Sequence, residues 1–396
     1  MRHWSPLVHH LLLAPLGFSL LAWLWGAYAI WRTRQDVPRL ADDTSPSPPR
    51  WPTVSLIIPA RDEEGEVEAA LRARLADGYP ALEVIAVNDR STDRTGAILD
   101  RLAAEDPRVR VIHIDTLPAG WLGKLYAMHQ GVLASRGEWV LLSDADVHYA
   151  PGTLRRVLAA CVAHRLDHFA ALPTFRAQSP LLDAVIDVFG RNLILGGRLW
   201  LVQDERSNVA VAGGLFNLFR REAYDRTPGL PWLKLEVADD VALAQMLKAH
   251  GARTAVYETL GLISLDFYPS VGAYVRGVEK NSFAIIGKFS MLRLTVTCAL
   301  TLLVEFGWLA GLAHPAPAAG ALALLTFALV FGTSAAAVRT MGRSLTTLPL
   351  LPAATLVFVY ASMRSGVVAH RRGGVAWRGT VYSIDELREG ARIRIP

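Results

Sequence analysis

Long apolar stretches near both ends of the sequence limit what the chain can fold into. Residues 11–31 contain no charged side chain, and about twenty such residues are enough for one helix to cross a bilayer. Further stretches of sufficient length cover residues 294–313, 318–338 and 345–363. We therefore predict an integral membrane protein with one N-terminal span and two or three C-terminal spans.

The charges beside these stretches predict their orientation. Arg32 and Arg34 directly follow the first stretch and place its C-terminal end in the cytoplasm. The length of residues 11–31, with no small-residue cleavage site after them, disfavours a cleaved signal peptide. We expect the domain that follows to lie on the cytoplasmic side of the cell (inner) membrane.

The polar C-terminal tail conflicts with this orientation if all three C-terminal stretches span. The tail would then end outside the cell, although its positive charge favours the cytoplasm. Its arginines are Arg371, Arg372, Arg378, Arg388, Arg392 and Arg394. We expect one stretch to be re-entrant, with residues 345–363 the first candidate because they contain Pro349 and Pro352. A translocated tail that overrides the charge rule is the alternative.

Composition excludes several classes of protein. Hydrophobic residues make up 52% of the chain, which is high for a soluble protein. The formal net charge of +5 is mild, and no Lys/Arg block with interleaved aromatic residues is present, so we expect no nucleic-acid partner. Two cysteines, Cys161 and Cys298, cannot form a disulfide framework or a zinc cluster.

Between the apolar ends, short apolar runs alternate with amphipathic segments. Strands are predicted at residues 54–59, 82–89, 109–114 and 139–142, with helices between them. Strands joined through helices form a mostly parallel sheet, and continuous apolar runs are typical of strands buried on both faces. Later elements are a helix at 153–164, strands at 169–175 and 209–212, a helix at 235–251 and a last strand at 253–260.

The predicted organisation is that of an α/β domain between membrane segments. Residues 1–35 form an N-terminal transmembrane anchor, 36–52 a Pro/Ser-rich linker, 53–267 the α/β domain, 268–293 amphipathic interfacial helices, 294–369 transmembrane helices and 370–396 the tail.

Asp144 and Asp146 directly follow the fourth predicted strand, one residue apart. Carboxylates at the carboxyl end of a parallel sheet lie where ligands bind, and such oxygen ligands suit Mg²⁺ or Mn²⁺. A divalent ion held there can neutralise a diphosphate leaving group. The alternative, one aspartate capping the next helix and one solvated, is the commoner arrangement of an isolated pair.

Three other positions carry candidate chemistry. Asp89 ends the second strand and can accept hydrogen bonds from a base or ribose; the alternative is a capping cluster, with Asp93 as the cap. Lys124 follows a Gly-Trp-Leu-Gly turn at a helix start, a position suited to phosphate or to a solvated lysine. Asp239 and Asp240 begin a helix, either as a general base or as favourable charge at a helix N-terminus.

The set of motifs resembles the family 2 glycosyltransferases with the GT-A fold, in particular the membrane-bound branch with ceramide, hopanoid-associated and carotenoid-acid glycosyltransferases. The motifs are PARDEE at residues 59–64, VNDRSTD, GWLGK, DAD, GGLFNLFRREAYD and ADDVALA, in the family's order. The resemblance covers residues 54–284. It implies a glycosyltransferase with a nucleotide-sugar donor, Mg²⁺ or Mn²⁺, and the membrane as its location.

The resemblance also implies roles for individual residues. The nucleotide-sugar site contains Pro59, Arg61, Glu63, Asp89, Lys124 and Asp144, and the metal is bound by Asp146 and Asp144. Asp240, with Asp239 beside it, matches the catalytic base, and the acceptor side contains Gly213, Gly214, Arg220, Arg221, Arg276 and Lys280. In the tail, Trp377-Arg378-Gly379 resembles a segment of relatives, without a physical account of its role.

Departures from the family pattern narrow the function. The Q/R-x-x-R-W motif of polymer-forming and ceramide members is absent at residues 276–281, which argues against a processive polysaccharide synthase. Asp62 stands where the family has Asn. We expect an inverting transfer from a UDP-sugar to a lipid acceptor such as a hopanoid, carotenoid, sphingolipid or glycerolipid. The alternatives are a polyprenyl-phosphate sugar synthase and a non-catalytic membrane scaffold.

Overall fold

A computed structural model describes residues 6–393 of the chain. The first five residues of the predicted anchor and the last three of the predicted tail, Arg394 among them, lie outside the described part. The chain divides into two units. The helical unit contains residues 6–36, Ala177–Arg198 and Phe267–Ala376, and the sheet unit contains Val37–Arg176, Leu199–Asp266 and residues 377–393.

The sheet unit is built on a seven-stranded, mostly parallel sheet with the strand order β3-β2-β1-β4-β8-β6-β9. Only β8 runs antiparallel to its neighbours β4 and β6. The strands of this sheet are β1 (Val54–Ala60), β2 (Leu82–Asp89), β3 (Val109–Ile114), β4 (Trp139–Leu142), β6 (His168–Leu172), β8 (Asn217–Arg220) and β9 (Thr254–Glu258). A smaller sheet contains β5 (His148–Tyr149), β10 (Ile263–Asp266) and β7 (Thr174–Arg176).

Helices connect these strands as the sequence predicts. They are α2 (Val67–Leu75), α3 (Thr95–Glu105), α4 (Gly123–Ala134), α5 (Thr153–Ala163), α7 (Arg221–Asp225), α8 (Asp239–Ala249) and α15 (Ile384–Gly390). The apolar runs of β1 and β4 are buried along almost their whole length because helices cover both faces of the sheet. The prediction of a mixed α/β fold with a mostly parallel sheet is therefore confirmed.

Two elements differ from the sequence prediction. The strand expected at residues 209–212 is found after the glycine pair instead, as β8. Its backbone pairs with β4 on one side and with β6 on the other, so the strand lies at Asn217–Arg220. Helix α8 begins at Asp239, four residues later than expected. Just before this start, the Glu236 carboxylate accepts the N–H of Ala238 at 3.0 Å, so residues 236–238 form a turn and not the first turn of the helix. This later start places two aspartates in the first helical turn.

The helical unit contains α1 (Pro6–Asp36), α6 (Pro180–Gly197), α9 (Val271–Gly277), α10 (Glu279–Asn281), α11 (Met291–Phe306), α12 (Leu309–Leu312), α13 (Pro317–Thr340) and α14 (Leu351–Arg372). Three helices are long and apolar enough to cross a membrane: His9–Asp36, Pro317–Thr340 and Leu345–Arg372. Helices over Val271–Ile286 and Met291–Phe306 form a pair bent by 101°. Large apolar side chains of these helices are exposed, including Leu21, Leu324 and Leu356.

The helical unit also contains a buried ion pair. The Arg191 guanidinium, 3% exposed, lies 2.6 Å from the Glu305 carboxylate and donates to Ser334 Oγ at 3.0 Å. It also lies over the ring of Trp23, 5.0 Å from its centroid. Apolar groups outside and a paired charge inside is the distribution expected of helices surrounded by lipid.

Side-chain contacts give the directions of the helices that pack on α1. Trp23 Nε1 donates to the carbonyl of Val304 at 2.9 Å, and His314 Nε2 lies 2.9 Å from His9 Nδ1. The chain from α11 to α12 therefore runs antiparallel to α1. Helix α13 then runs parallel to α1, because Ala323 and Leu16 meet at Gly311 and Thr333 packs beside Gly26.

Two contacts locate helix α14 beside α6 and α11. Its Thr355 hydroxyl contacts Arg191 at 3.4 Å, level with the buried ion pair. Eleven residues later, Gly366 packs on Met291, where α11 begins. The two prolines of this segment lie in the short 3₁₀ turn Leu345–Leu350 and in the first turn of α14, so they do not break the helix.

Candidate active site

One pocket gathers six of the fifteen predicted site residues at the carboxyl ends of the central strands. In the register of the sheet, Leu142 lies beside Ile57 on one side and Asn217 on the other. The chain segments that leave these strands must therefore meet at the same edge. The pocket is lined by Pro59, Lys124, Met128, Leu142, Ser143, Asp144, Gly214, Asn217, Asp239, Asp240 and Leu243.

Lys124 is the cation at the centre of the pocket. Its Nζ lies 2.9 Å from Asp144 Oδ1 and 3.2 Å from Asp239 Oδ2. Burial disfavours the charged ammonium, but the negative charges of Asp144, Asp239 and Asp240 outweigh it and raise the pKa of Lys124 above its ordinary value. The side chain is therefore held as a permanent cation at the start of α4, a position suited to phosphate.

Asp239 and Asp240 play different parts in the pocket. Asp239 is buried and forms the ion pair with Lys124. Asp240 accepts the N–H of Val241 at 2.8 Å, and its own carbonyl accepts from Asn217 Nδ2 at 3.2 Å. Burial and the charge of Asp239 raise the pKa of Asp240 to about 7, although Lys124 acts in the opposite direction. A carboxylate with a pKa near neutrality is suited to take a proton in catalysis.

A buried arginine fixes the turn that carries Asp144 and Asp146. Arg74, 1% exposed, donates from Nε to the carbonyl of Val147 at 3.1 Å and from Nη2 to the carbonyl of Asp144. The N–H of Asp144 donates to the carbonyl of Gly214 at 3.0 Å. The structural role of Arg74 cannot be predicted from the sequence, because an arginine in the last turn of a charged helix has no local feature that distinguishes it from a solvated arginine.

Gly214 is required by the close approach of the ion pair. A Cβ at this position would lie 2.8 Å from Asp144 Oδ2 and 2.9 Å from Lys124 Nζ. The neighbouring Gly213 has more space, with Leu215 Cδ1 at 3.6 Å as its nearest contact. The two glycines of the motif therefore differ, and only Gly214 is needed to leave space for the charged groups.

The donor set for a divalent cation is incomplete in the protein alone. Within residues 6–393, no group of three or more His, Cys, Asp or Glu side chains is close enough to hold a metal ion. Burial, Asp144 and Glu63 together raise the pKa of Asp146 to about 6, so uncompensated negative charge is concentrated here. Mg²⁺ and Mn²⁺ accept one or two carboxylates when waters and phosphate oxygens complete the shell, and Asp144 and Asp146 fit that role.

Two loops beside the pocket carry the remaining predicted nucleotide-site residues. Asp89 is buried at the end of β2, where Arg90 Nε approaches its Oδ1 at 2.7 Å. Asp62 Oδ1 accepts the N–H of Thr92 at 2.7 Å, which ties the loop after β1 to the loop after β2. Arg61 lies in the first loop, and its Nε is buried without a hydrogen-bond partner among the described residues. The nearest carboxylate oxygen, Asp62 Oδ2, lies 3.9 Å away, beyond hydrogen-bond distance, so this donor is suited to a ligand.

The predicted capping role of Asp93 also holds in part. Its Oδ1 accepts the N–H of Thr95, the first residue of α3, at 2.9 Å. The N–H of Glu64 donates to the other oxygen at 3.1 Å. Asp93 thus joins the two loops in addition to starting the helix.

Two predicted acceptor-side residues, Arg220 and Arg221, are not brought to the pocket. Arg220 ends β8 opposite Trp139, the start of β4, whereas the pocket lies at the other end of these strands. Its guanidinium covers the Trp139 ring, and Arg221 donates to the carbonyl of Gly137 at 2.9 Å. Both arginines thus hold the chain before β4. Arg276 in α9 and Lys280 in α10 belong to the helical unit.

Comparison with known proteins identifies the domain. The profile of the family described as Glycosyl transferase family 2 matches residues 55–227. Residues 55–227 therefore form a domain of the family 2 glycosyltransferase type. Every residue of the pocket before Asp239 falls within the matched range.

Two curated relatives of this glycosyltransferase domain match part of the chain. The beta-monoglucosyldiacylglycerol synthase of Synechocystis is 27% identical over 258 residues, 59% of this chain and 50% of the relative. The 4,4'-diaponeurosporenoate glycosyltransferase of Staphylococcus aureus is 22% identical over 220 residues, 54% of this chain and 56% of the relative. The chain thus spans about half the length of these relatives.

A solved structure shares the fold of the glycosyltransferase. The mannosyltransferase PcManGT of Pyrobaculum calidifontis, solved with GDP-Man and Mn²⁺, superposes with a TM-score of 0.55 at 18% identity. The match covers 92% of this chain and 99% of that chain. This likeness supports the GT-A fold.

Replacing Gly214 by alanine tests the geometry of the pocket. The added Cβ displaces the flexible ends of Lys124 and Asp144, so we expect the fold to remain and the affinity for UDP with Mn²⁺ to fall about tenfold or more. A hydrogen bond between charged groups is worth about 1.5–3 kcal/mol, which corresponds to that loss. Isothermal titration calorimetry of the purified protein measures it.

The matched control is Gly213→Ala, where the added Cβ meets only ordinary contacts. It should bind UDP with Mn²⁺ like the wild type. Equal affinities of the two variants would contradict the close approach at Gly214.

Proposed function

We propose that the protein is a membrane-bound inverting glycosyltransferase that moves a sugar from a UDP-sugar to a hydroxyl or carboxyl group of a lipid. One observation carries the proposal. A pocket at the sheet edge holds a permanent cation, Lys124, beside a carboxylate of near-neutral pKa, Asp240. The first group suits a departing diphosphate, and the second suits an acceptor that must lose a proton.

The donor side of the proposal rests on the loops after β1 and β2. Asp89 and Glu63 offer acceptors for a base or ribose, and the unpartnered Nε of Arg61 offers a donor. Asp146 and Asp144 would hold Mg²⁺ or Mn²⁺, which when bound neutralises part of the charge on the diphosphate. Occupancy of PcManGT by GDP-Man and Mn²⁺ supports this assignment by its common fold.

The mechanism is a single in-line displacement at the anomeric carbon. Asp240 takes the proton of the acceptor oxygen as that oxygen attacks, and Lys124 donates hydrogen bonds to the departing diphosphate. Asp239 keeps Lys124 in place through the ion pair at 3.2 Å. One displacement inverts the configuration of the sugar.

The lipid acceptor is supported by two independent facts. The relatives named above act, by their names, on glycerolipid and carotenoid-acid acceptors. The helical unit exposes large apolar side chains and buries the Arg191–Glu305 ion pair, as helices in a bilayer do. A lipid can then reach the enzyme without leaving the membrane.

The contacts within each unit support a topology for the membrane segments. The tail, residues 377–393, belongs to the sheet unit, so an even number of crossings must separate it from residue 266. The antiparallel segment α11–α12 and the parallel helix α13 supply two crossings beside α1. In helix α14, Thr355 lies at the level of Arg191 and Gly366 at that of Met291, which supports a re-entrant segment. Arg32 and Arg34 then place the sheet unit and tail in the cytoplasm.

Replacing Asp240 by asparagine tests the proposed base. Without the carboxylate, transfer to a lipid hydroxyl should fall about 10²–10⁴-fold, the usual contribution of general acid–base catalysis. The assay supplies labelled UDP-sugar to membranes and measures label in the organic extract.

UDP binding of the Asp240→Asn variant is the control, and it should remain within a few-fold of the wild type. Undiminished transfer would instead favour a polyprenyl-phosphate acceptor, because a phosphate oxygen needs no base.

The pKa of Asp240 fixes the expected pH dependence. The base must be ionised, so kcat/KM for the lipid should rise about tenfold per pH unit below pH 7 and level off above it. Asp239, Lys124 and Asp144 are the charged groups that face Asp240. Asp239→Asn removes a negative charge that raises the pKa of Asp240, so it should move the rising part of the pH profile to lower pH. A flat profile from pH 5 to 8 would rule out Asp240 as the base.

Site-specific cysteines test the topology. With a membrane-impermeant maleimide on sealed vesicles, Ala313→Cys should react from the side opposite the sheet unit. Thr346→Cys and Arg388→Cys should react from the same side as the sheet unit. The native cysteines Cys161 and Cys298 are buried and give little background. The reverse labelling of positions 313 and 346 would show that α14 crosses the membrane and α11 does not.

A further inference from the structure

The C-terminal tail is an ordered part of the sheet unit. Tyr382 is 7% exposed and Leu387 is 1% exposed, so both side chains are packed as in a core. Gly390, at the end of helix α15, packs closely on Leu235, and a Cβ added at Gly390 would lie 2.3 Å from the Leu235 Cβ. A polar segment at the end of a chain is usually loose unless contacts hold it, and here several do.

The first contact joins the tail to the loop after β1. Arg378 donates from Nη1 to the carbonyl of Arg61 at 2.7 Å and from Nη2 to Glu63 Oε1. The backbone bends sharply here, with positive φ at Arg378 (47°) and Gly379 (80°). A Cβ added at Gly379 would lie 3.9 Å from Arg61 Nη2, so the Trp-Arg-Gly motif lies against the proposed nucleotide site.

Two more contacts reach the other loops of the pocket. The Tyr382 hydroxyl is hydrogen-bonded to the main chain of Gly123, the residue before Lys124. At the end of the tail, Glu236 Oε2 accepts the N–H of Ile393 at 3.0 Å. Glu236 lies three residues before Asp239. Each contact is therefore at, or within three residues of, a proposed site residue.

We propose that residues 377–393 form a strap that completes the donor site, with Arg378 as a positioning residue that sets the affinity for the nucleoside diphosphate. The proposal rests on the proposed function of the same pocket. Arg378 holds the main chain beside Arg61 and compensates the charge of Glu63. That charge acts on Asp146, so without Arg378 it would repel an anionic donor.

A purely structural role for Arg378 fits the contacts less well. Its side chain is 47% exposed, and an ion pair this accessible contributes little to folding stability. The tail has its own buried anchors in Tyr382 and Leu387, which would keep it folded without the arginine. The geometry instead directs the guanidinium to two groups of one loop that borders the pocket.

The test measures binding of UDP with Mn²⁺ to the full-length protein by calorimetry, with thermal unfolding in parallel. Arg378→Ala should raise the Kd about tenfold with little change in Tm, and should raise KM for the UDP-sugar while KM for the lipid stays unchanged. Arg388→Ala is the matched control, because Arg388 is a half-exposed arginine that pairs with Asp385 in its own helix at 2.9 Å.

A second substitution separates charge compensation from a loss of structure. In the Arg378→Ala background, Glu63→Gln removes the uncompensated charge and should restore part of the UDP affinity. Wild-type affinity in folded Arg378→Ala would overturn the proposal, as would an equal loss in Arg388→Ala. Absence of UDP binding by the wild type would instead refute the proposed function itself, and normal UDP binding without lipid product would refute only the acceptor.

Discussion

The pocket depends on one partly buried cation shared among carboxylates. Lys124 contacts Asp144 from the strand side and Asp239 from the start of α8, at 2.9 and 3.2 Å. Three aspartates would repel one another in so small a space, and the lysine makes their proximity possible. When an anionic diphosphate enters, the same lysine can turn to it, while Asp144 becomes available to a divalent ion. The resting ion pairs thus hold in place the groups that the reaction uses.

The surrounding structure serves to keep these charges in register. The Arg74 guanidinium donates a hydrogen bond to the carbonyl of Asp144, and the Asn217 side chain donates one to the carbonyl of Asp240. Asn217 is in turn fixed by the buried His168, whose Nε2 lies 2.8 Å from its Oδ1. Burial lowers the pKa of His168 to about 4, so this histidine remains neutral and adds no charge to the cluster. Polar residues of the core therefore orient the backbone of both aspartates.

The sequence predicts the frame better than its details. Strands β1 to β4 were predictable because continuous apolar runs between helical patterns leave few alternatives. The short strand β8 was misplaced by several residues, since the apolar residues on both sides of the glycine pair fit a strand equally well. Lys124, Asp144, Asp239 and Asp240 were predictable from motifs as candidates. Arg74 and the strap were not, because their roles arise from contacts between residues 70 or more positions apart.

The central claim is that this pocket performs metal-dependent transfer from a nucleotide-sugar to a lipid. The most direct measurement incubates membranes containing the protein with a panel of labelled UDP-sugars, with Mn²⁺ or Mg²⁺ and with EDTA, and then extracts the lipids. The account predicts label in the organic phase with one sugar, lost with EDTA and in Asp146→Ala. Folded protein that neither labels lipid nor binds UDP would contradict it and favour a non-catalytic membrane scaffold.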